Sequence, residues 1–121
     1  MKKLSLVFFL GAMNAAIFAD DLGKKTYEMA CQNCHSPKLA KGINAPAAFN
    51  KKEWDARFKL AAIKAKQKPD RFKSPMGYLL HSVTIGKGLM HHGGLCNESD
   101  AVNKDCSEQA LITAINYMSQ R

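Results

Sequence analysis

The sequence predicts an all-α protein. No stretch alternates apolar and polar residues with the period of a strand, while apolar residues recur three and four positions apart, the spacing of one helix face. Helix-start residues also stand where these segments begin: Asn50, the pair Ser74-Pro75, and Ser107. No internal repeat and no low-complexity segment interrupts the pattern.

The amino terminus reads as an export signal. Lys2 and Lys3 precede a mostly apolar stretch from Leu4 to Phe18, and Ala19 precedes Asp20 and Asp21, the form of a secretory signal peptide cleaved after Ala19. An uncleaved anchor would need about 20 apolar residues; this stretch is shorter, and Asn14 interrupts it. The expected organisation is a signal peptide over residues 1–19 and one domain over residues 20–121, located in the periplasm. No second apolar run is long enough to span a membrane. Once Lys2 and Lys3 are removed, 16 cationic side chains face 10 acidic ones, a net charge of +6. An exported chain is not expected to meet nucleic acid. The charge suits solubility, or steering toward acidic partners or a membrane surface.

In the mature chain, Asp21 can cap a first helix over about Leu22 to Asn33. Gly23 and Tyr27 lie on one face of it, and Cys31 follows one turn later. Residues 36–50 read as a loop, because Pro37, Gly42 and Pro46 break any long helix. Asn50 and Glu53 form a capping-box pattern that opens a middle helix. Its apolar face is Trp54, Phe58, Ala61, Ala62 and Ala65, lysines fill much of the rest, and Pro69 ends it. Ser74-Pro75 starts a third helix that Gly86 or Gly88 stops. Lys87 to Lys104 is a second long loop. Ser107 caps a final helix to about Ser119 with the stripe Leu111, Ile112, Ile115 and Met118.

The chemistry sits in Cys31-Gln32-Asn33-Cys34-His35. C-x-x-C-H is the attachment signature of a c-type haem. Each sulfur adds across one vinyl group of the porphyrin, and two intervening residues bring both sulfurs to one edge of the ring within about one helical turn. The histidine after the second cysteine then lies beneath the macrocycle as the proximal iron ligand. C-x-x-C alone also serves zinc sites and redox dithiols; the following histidine and the export signal favour haem. A chain of this size has a thin core, and a buried porphyrin would supply apolar mass, so the apo form should be poorly folded or molten.

Cys96 and Cys106 remain after the two thioethers are made. In an oxidising compartment a leftover pair favours a disulfide, worth about 3 kcal/mol by chain entropy. The alternatives are two free thiols, or zinc held by the pair with His91 or His92. A sixth iron ligand is sought among Met90, Met76, His81, His91 and His92. Met90 stands in a glycine-flanked loop, where backbone can approach a flat ring, and a thioether on Fe(II) is a soft–soft pairing that raises the potential. Met76 is held in the first turn of a helix, and His81 lies within a helical pattern, where a satisfied or solvated histidine is the default. Trp54 reads as a core anchor whose indole N–H could also reach a haem propionate.

The order of signal peptide, short helix, C-x-x-C-H, middle helix, methionine loop and final helix resembles the class I c-type cytochromes, nearest the cytochrome c5 type. Four matches carry the resemblance: Gly23 to Cys31 as the first helix, Ala45-Pro46-Ala47-Ala48-Phe49 as the proline loop, Trp54, and Gly88-Leu89-Met90 before Gly93-Gly94. It implies a cytochrome c fold with terminal helices packed around one covalent haem c, the Pro46 carbonyl accepting from His35, and Met90 as sixth ligand. Two departures stand out. His91-His92 replace the proline that usually follows the methionine, and Lys59–Ser74 is longer than in the family.

The expected function is single-electron transfer between redox proteins, among them membrane-bound respiratory complexes, after loading by haem-maturation machinery. The chain is not expected to be an enzyme in its own right. The competing readings are a small haem protein with an exchangeable sixth position, for peroxidase chemistry or gas binding, and a haem-free thiol–disulfide protein using Cys31 and Cys34.

Overall fold

The structure, a computed structural model, describes the backbone of residues 14–121 and the side chains from Asp20 onward. The expected signal peptide falls on residues 1–19, and its charged and apolar portion up to Met13 lies outside the described residues. Among the described residues the chain is all-α: it forms helices and turns, with one isolated β-bridge and no strand. No helix among them is long and apolar enough to cross a membrane.

Helix α1 spans Asn14–Thr26 and runs on through a π-helical turn, Tyr27–Cys31, into α2, Gln32–His35. The expected cap at Asp21 is corrected by this. Helix-favouring alanines precede Asp21, the helix already includes it, and its carboxylate pairs with Lys25 at 2.9 Å. The expected loop over 36–50 also holds a short helix, α3, Pro37–Ala40, and a 3₁₀ turn, Lys41–Ile43. Pro37 stands in the first turn of α3, where its missing N–H costs nothing.

Helix α4 spans Lys51–Gln67. Asn50 Oδ1 accepts from the Glu53 N–H at 3.2 Å. The capping box is only half formed, because the Glu53 carboxylate accepts from the Ala47 N–H at 2.7 Å rather than returning to Asn50. Helix α5 spans Pro75–Ile85, with Ser74 Oγ accepting from the Gly77 N–H at 3.0 Å, and Gly86 ends it at φ 79°. The second long loop contains a 3₁₀ turn at Cys96–Glu98. Helix α6 spans Glu108–Ser119 and is capped by Ser107, whose Oγ accepts from the Ala110 N–H at 3.2 Å.

The amino- and carboxyl-terminal helices pack directly on each other. Gly23 permits it: a Cβ there would stand 2.5 Å from the Thr113 carbonyl oxygen. Tyr27, Phe49 and Tyr117 close the crossing, with ring centroids 5.2–5.8 Å apart. The buried stripe of α6 is Ala110, Leu111, Ala114, Ile115 and Met118; the expected member Ile112 is only half-buried, because α1 meets the Ala110–Ala114 side. The core is built on Tyr27, Trp54, Leu111, Ile115 and Met118, with alanines between them. Helix α5 is rich in apolar residues yet buries none of them fully.

Candidate functional site

The π turn delivers Cys31, Cys34 and His35. It widens the helix by one residue per turn, and the carbonyl of Ala30 accepts the Leu95 N–H at 2.9 Å, tying the second long loop to the residue before Cys31. Gly94 makes that approach possible: its φ is +63°, and a Cβ would lie 2.5 Å from the Ala30 oxygen. The far end of the same loop is closed by a two-residue turn. Lys87 and Met90 exchange both backbone hydrogen bonds at 3.0 Å, with Gly88 at φ +60° and Leu89 exposed at the tip.

These segments, with α4 and α5, enclose a mostly apolar cavity of about 400 Å³. Cys31, Cys34, His35, Pro46, Trp54 and Met90 all line it, together with Tyr78, Leu79, Ser82 and Val83 of α5. The apolar face of α5 thus borders the cavity, with Leu79 and Val83 also packed against the core. Of the competing ligands, His91 also lines the cavity, whereas Met76, His81 and His92 do not. His91 is exposed, with Nδ1 2.5 Å from Glu98 Oε1.

His35 is buried, and its Nδ1 donates to the Pro46 carbonyl at 2.8 Å. That bond assigns the proton to Nδ1 and leaves Nε2 as a lone-pair donor. Burial pushes the His35 imidazole below its ordinary pKa, the Pro46 bond opposes this, and nearby Arg57 adds to it. Cys31 and Cys34 are free thiols. Burial, with the neighbouring Cys34, pushes the Cys31 thiol up to about 12, so it stays protonated.

Trp54 is buried and lines the cavity, but its indole N–H donates to the Ala47 carbonyl at 2.9 Å. An indole has one donor, and Trp54 spends it on holding the proline loop. Arg57, which the sequence reading did not single out, lines the same cavity and donates to the Asn44 carbonyl at 3.0 Å. Its position one turn after Trp54 was the only available sign.

Cys96 and Cys106 are joined by a disulfide, with Cα atoms 5.9 Å apart. The pair is therefore not available to hold zinc. Among the described residues no three His, Cys, Asp or Glu side chains gather in a group able to hold a metal ion.

The donor set suits a covalently held haem. Two free thiols stand three residues apart, the next residue is a neutral imidazole with Nε2 available, and a thioether and apolar walls share the cavity. No protein-family profile, curated protein sequence or solved structure matches the chain.

Proposed function

We propose that this protein is a periplasmic electron carrier, a class I c-type cytochrome of the cytochrome c5 type, with one haem c and no substrate turnover of its own. The observation that carries the reading is the convergence of Cys31, Cys34, His35 and Met90 on one apolar cavity. Cys31 and Cys34 would hold the porphyrin as thioethers, with His35 Nε2 and the Met90 sulfur as axial ligands. Bound haem supplies one-electron Fe(III)/Fe(II) exchange.

The chain's own residues hold and shield that group. Pro46 orients His35 and fixes its tautomer. The turn at Gly88 sets the position of Met90. The α5 wall and Trp54 give the cavity apolar sides, and low polarity around an iron raises its potential. Arg57 and Lys87 bring positive charge to the cavity, suited to the porphyrin's carboxylates. Donors and acceptors would meet the exposed rim, where Leu89 and Leu60 stand, in weak and transient contacts.

The test is an absorption spectrum of protein produced with haem-maturation machinery. Sharp α and β bands in the reduced form mark six-coordinate low-spin haem, as the proposal requires. A high-spin spectrum would favour an exchangeable sixth position, and no Soret band would favour the haem-free reading.

A further inference from the structure

Residues 64–73, within the stretch where this chain is longer than the family it resembles, hold five cations and one acid. Lys64 and Lys68, four residues apart, share one side of the carboxyl end of α4 and of the residue that follows it. The turn after Pro69 brings Arg71 beside them, and Lys87 approaches from beyond α5. These four cations ring a cleft of about 290 Å³ in which no acidic residue takes part. Among the described residues none of the four forms a salt bridge. Like charges gathered in this way repel.

The floor beneath them is ordered. Phe72 is buried, with its ring 5.3 Å from Tyr78 and 5.2 Å from His81. Arg71 lies against the Phe72 ring at 5.5 Å, and its Nη2 is 3.2 Å from His81 Nε2. A guanidinium can only donate, so His81 accepts, and the fork of Arg71 is held in one place with donors to spare. A fixed guanidinium fork flanked by ammonium groups is suited to oxyanions, phosphate above all. A cleft of about 290 Å³ suits a small guest.

We propose that the cleft between the end of α4 and α5, built on Arg71, Lys64, Lys68 and Lys87, binds a small multiply charged oxyanion of the phosphate type. This goes beyond the electron-carrier reading and does not depend on it. The cleft and the larger cavity share Tyr78, Ser82 and Lys87 as a common wall. An anion bound here would therefore lie one helix wall from the cavity.

The test is titration of the purified mature protein with inorganic pyrophosphate at near-physiological salt, followed by amide chemical shifts. Saturable one-to-one binding is expected, with shifts concentrated on residues 64–72 and 78–87. Arg71→Gln should weaken it about tenfold or more. Lys64→Gln with Lys68→Gln, at two exposed positions, should weaken it similarly without touching the aromatic floor. Lys38→Gln with Lys41→Gln, elsewhere on the surface, should leave it unchanged. No saturable binding, or equal loss in the Lys38 and Lys41 variant, would overturn the proposal. So would saturation by an acidic peptide with no response to pyrophosphate, which would make the cleft a protein contact. Free phosphate compounds and the headgroups of phospholipids share this chemistry. Competition between pyrophosphate and vesicles of anionic phospholipid would place the guest on the lipid, and its absence would leave the free anion.

Discussion

His35 donates from Nδ1 to the carbonyl oxygen of Pro46 at 2.8 Å, within the wall of the larger cavity. The bond joins the motif helix to the proline loop. That loop is held in turn by the Trp54 indole on Ala47 and the Glu53 carboxylate on the Ala47 N–H. A small chain thus presents one ring nitrogen in a set direction through a few backbone contacts.

The contact between Gly94 and Ala30 is the tightest approach of the second long loop to the motif. Gly94→Ala adds a Cβ 2.5 Å from the Ala30 oxygen at a φ of +63°, and should destabilise the protein by about 2 kcal/mol or more. Gly42→Ala adds a Cβ that meets nothing, at a φ any residue can adopt, and should be neutral or stabilising by up to about 1 kcal/mol. Chemical denaturation of both variants checks the pair, and equal effects would contradict the close approach.

The Cys96–Cys106 bridge closes the segment that directly follows those contacts. Replacing both cysteines with serine should lower stability by about 3 kcal/mol. The melting temperature should fall while the absorption spectrum is retained. Non-reducing peptide mapping should find the two linked in the wild type, and full alkylation of both without reductant in folded protein would contradict the bridge.

Asp55 gives the fold an acid-sensitive clamp. Hydrogen bonds from Lys51 at 3.1 Å and Arg121 at 2.7 Å hold its carboxyl below the ordinary 3.8. A depressed native pKa means that the carboxylate's contribution is present in full above 3.8. It is lost as pH falls through the native value. Asp55→Asn should therefore lower stability at neutral pH and flatten the acid limb of the stability profile, measured by thermal melts across the acidic range. A parallel profile in the variant would contradict the clamp.

Much of this was legible in the sequence because it is local. Asn50, Ser74 and Ser107 each accept from the N–H three residues on, as side chains of their type at such positions do. Cys31, Cys34 and His35 were readable from spacing, and the loop that carries Met90 from its flanking glycines and the family resemblance. What was not legible depends on contacts between distant segments. The π turn goes with a long-range bond from Leu95 to Ala30, the role of Trp54 with Ala47, and the half-formed box with the return of the proline loop. The basic cleft depends on the same kind of contact: Lys64 and Lys68 border a cleft only because the turn at Pro69 brings Arg71 against His81.

Met90 is the proposed sixth ligand, and of the other candidates His91 is the one that also lines the cavity. Met90→Ala should abolish the weak long-wavelength ferric band that marks methionine–iron ligation, and should lower the reduction potential. Met76→Ala and His91→Ala should both keep the band. Survival of band and potential in Met90→Ala would contradict the assignment.

Covalent attachment through Cys31 and Cys34 is the claim on which the proposed function depends. Acid–acetone extraction of protein made with haem-maturation machinery, followed by intact mass spectrometry, tests it directly. The account predicts a chain that keeps its colour and is heavier by one haem. In Cys31→Ala with Cys34→Ala the added mass should be absent. Haem found entirely in the organic phase, with the wild-type chain at its unmodified mass, would contradict it.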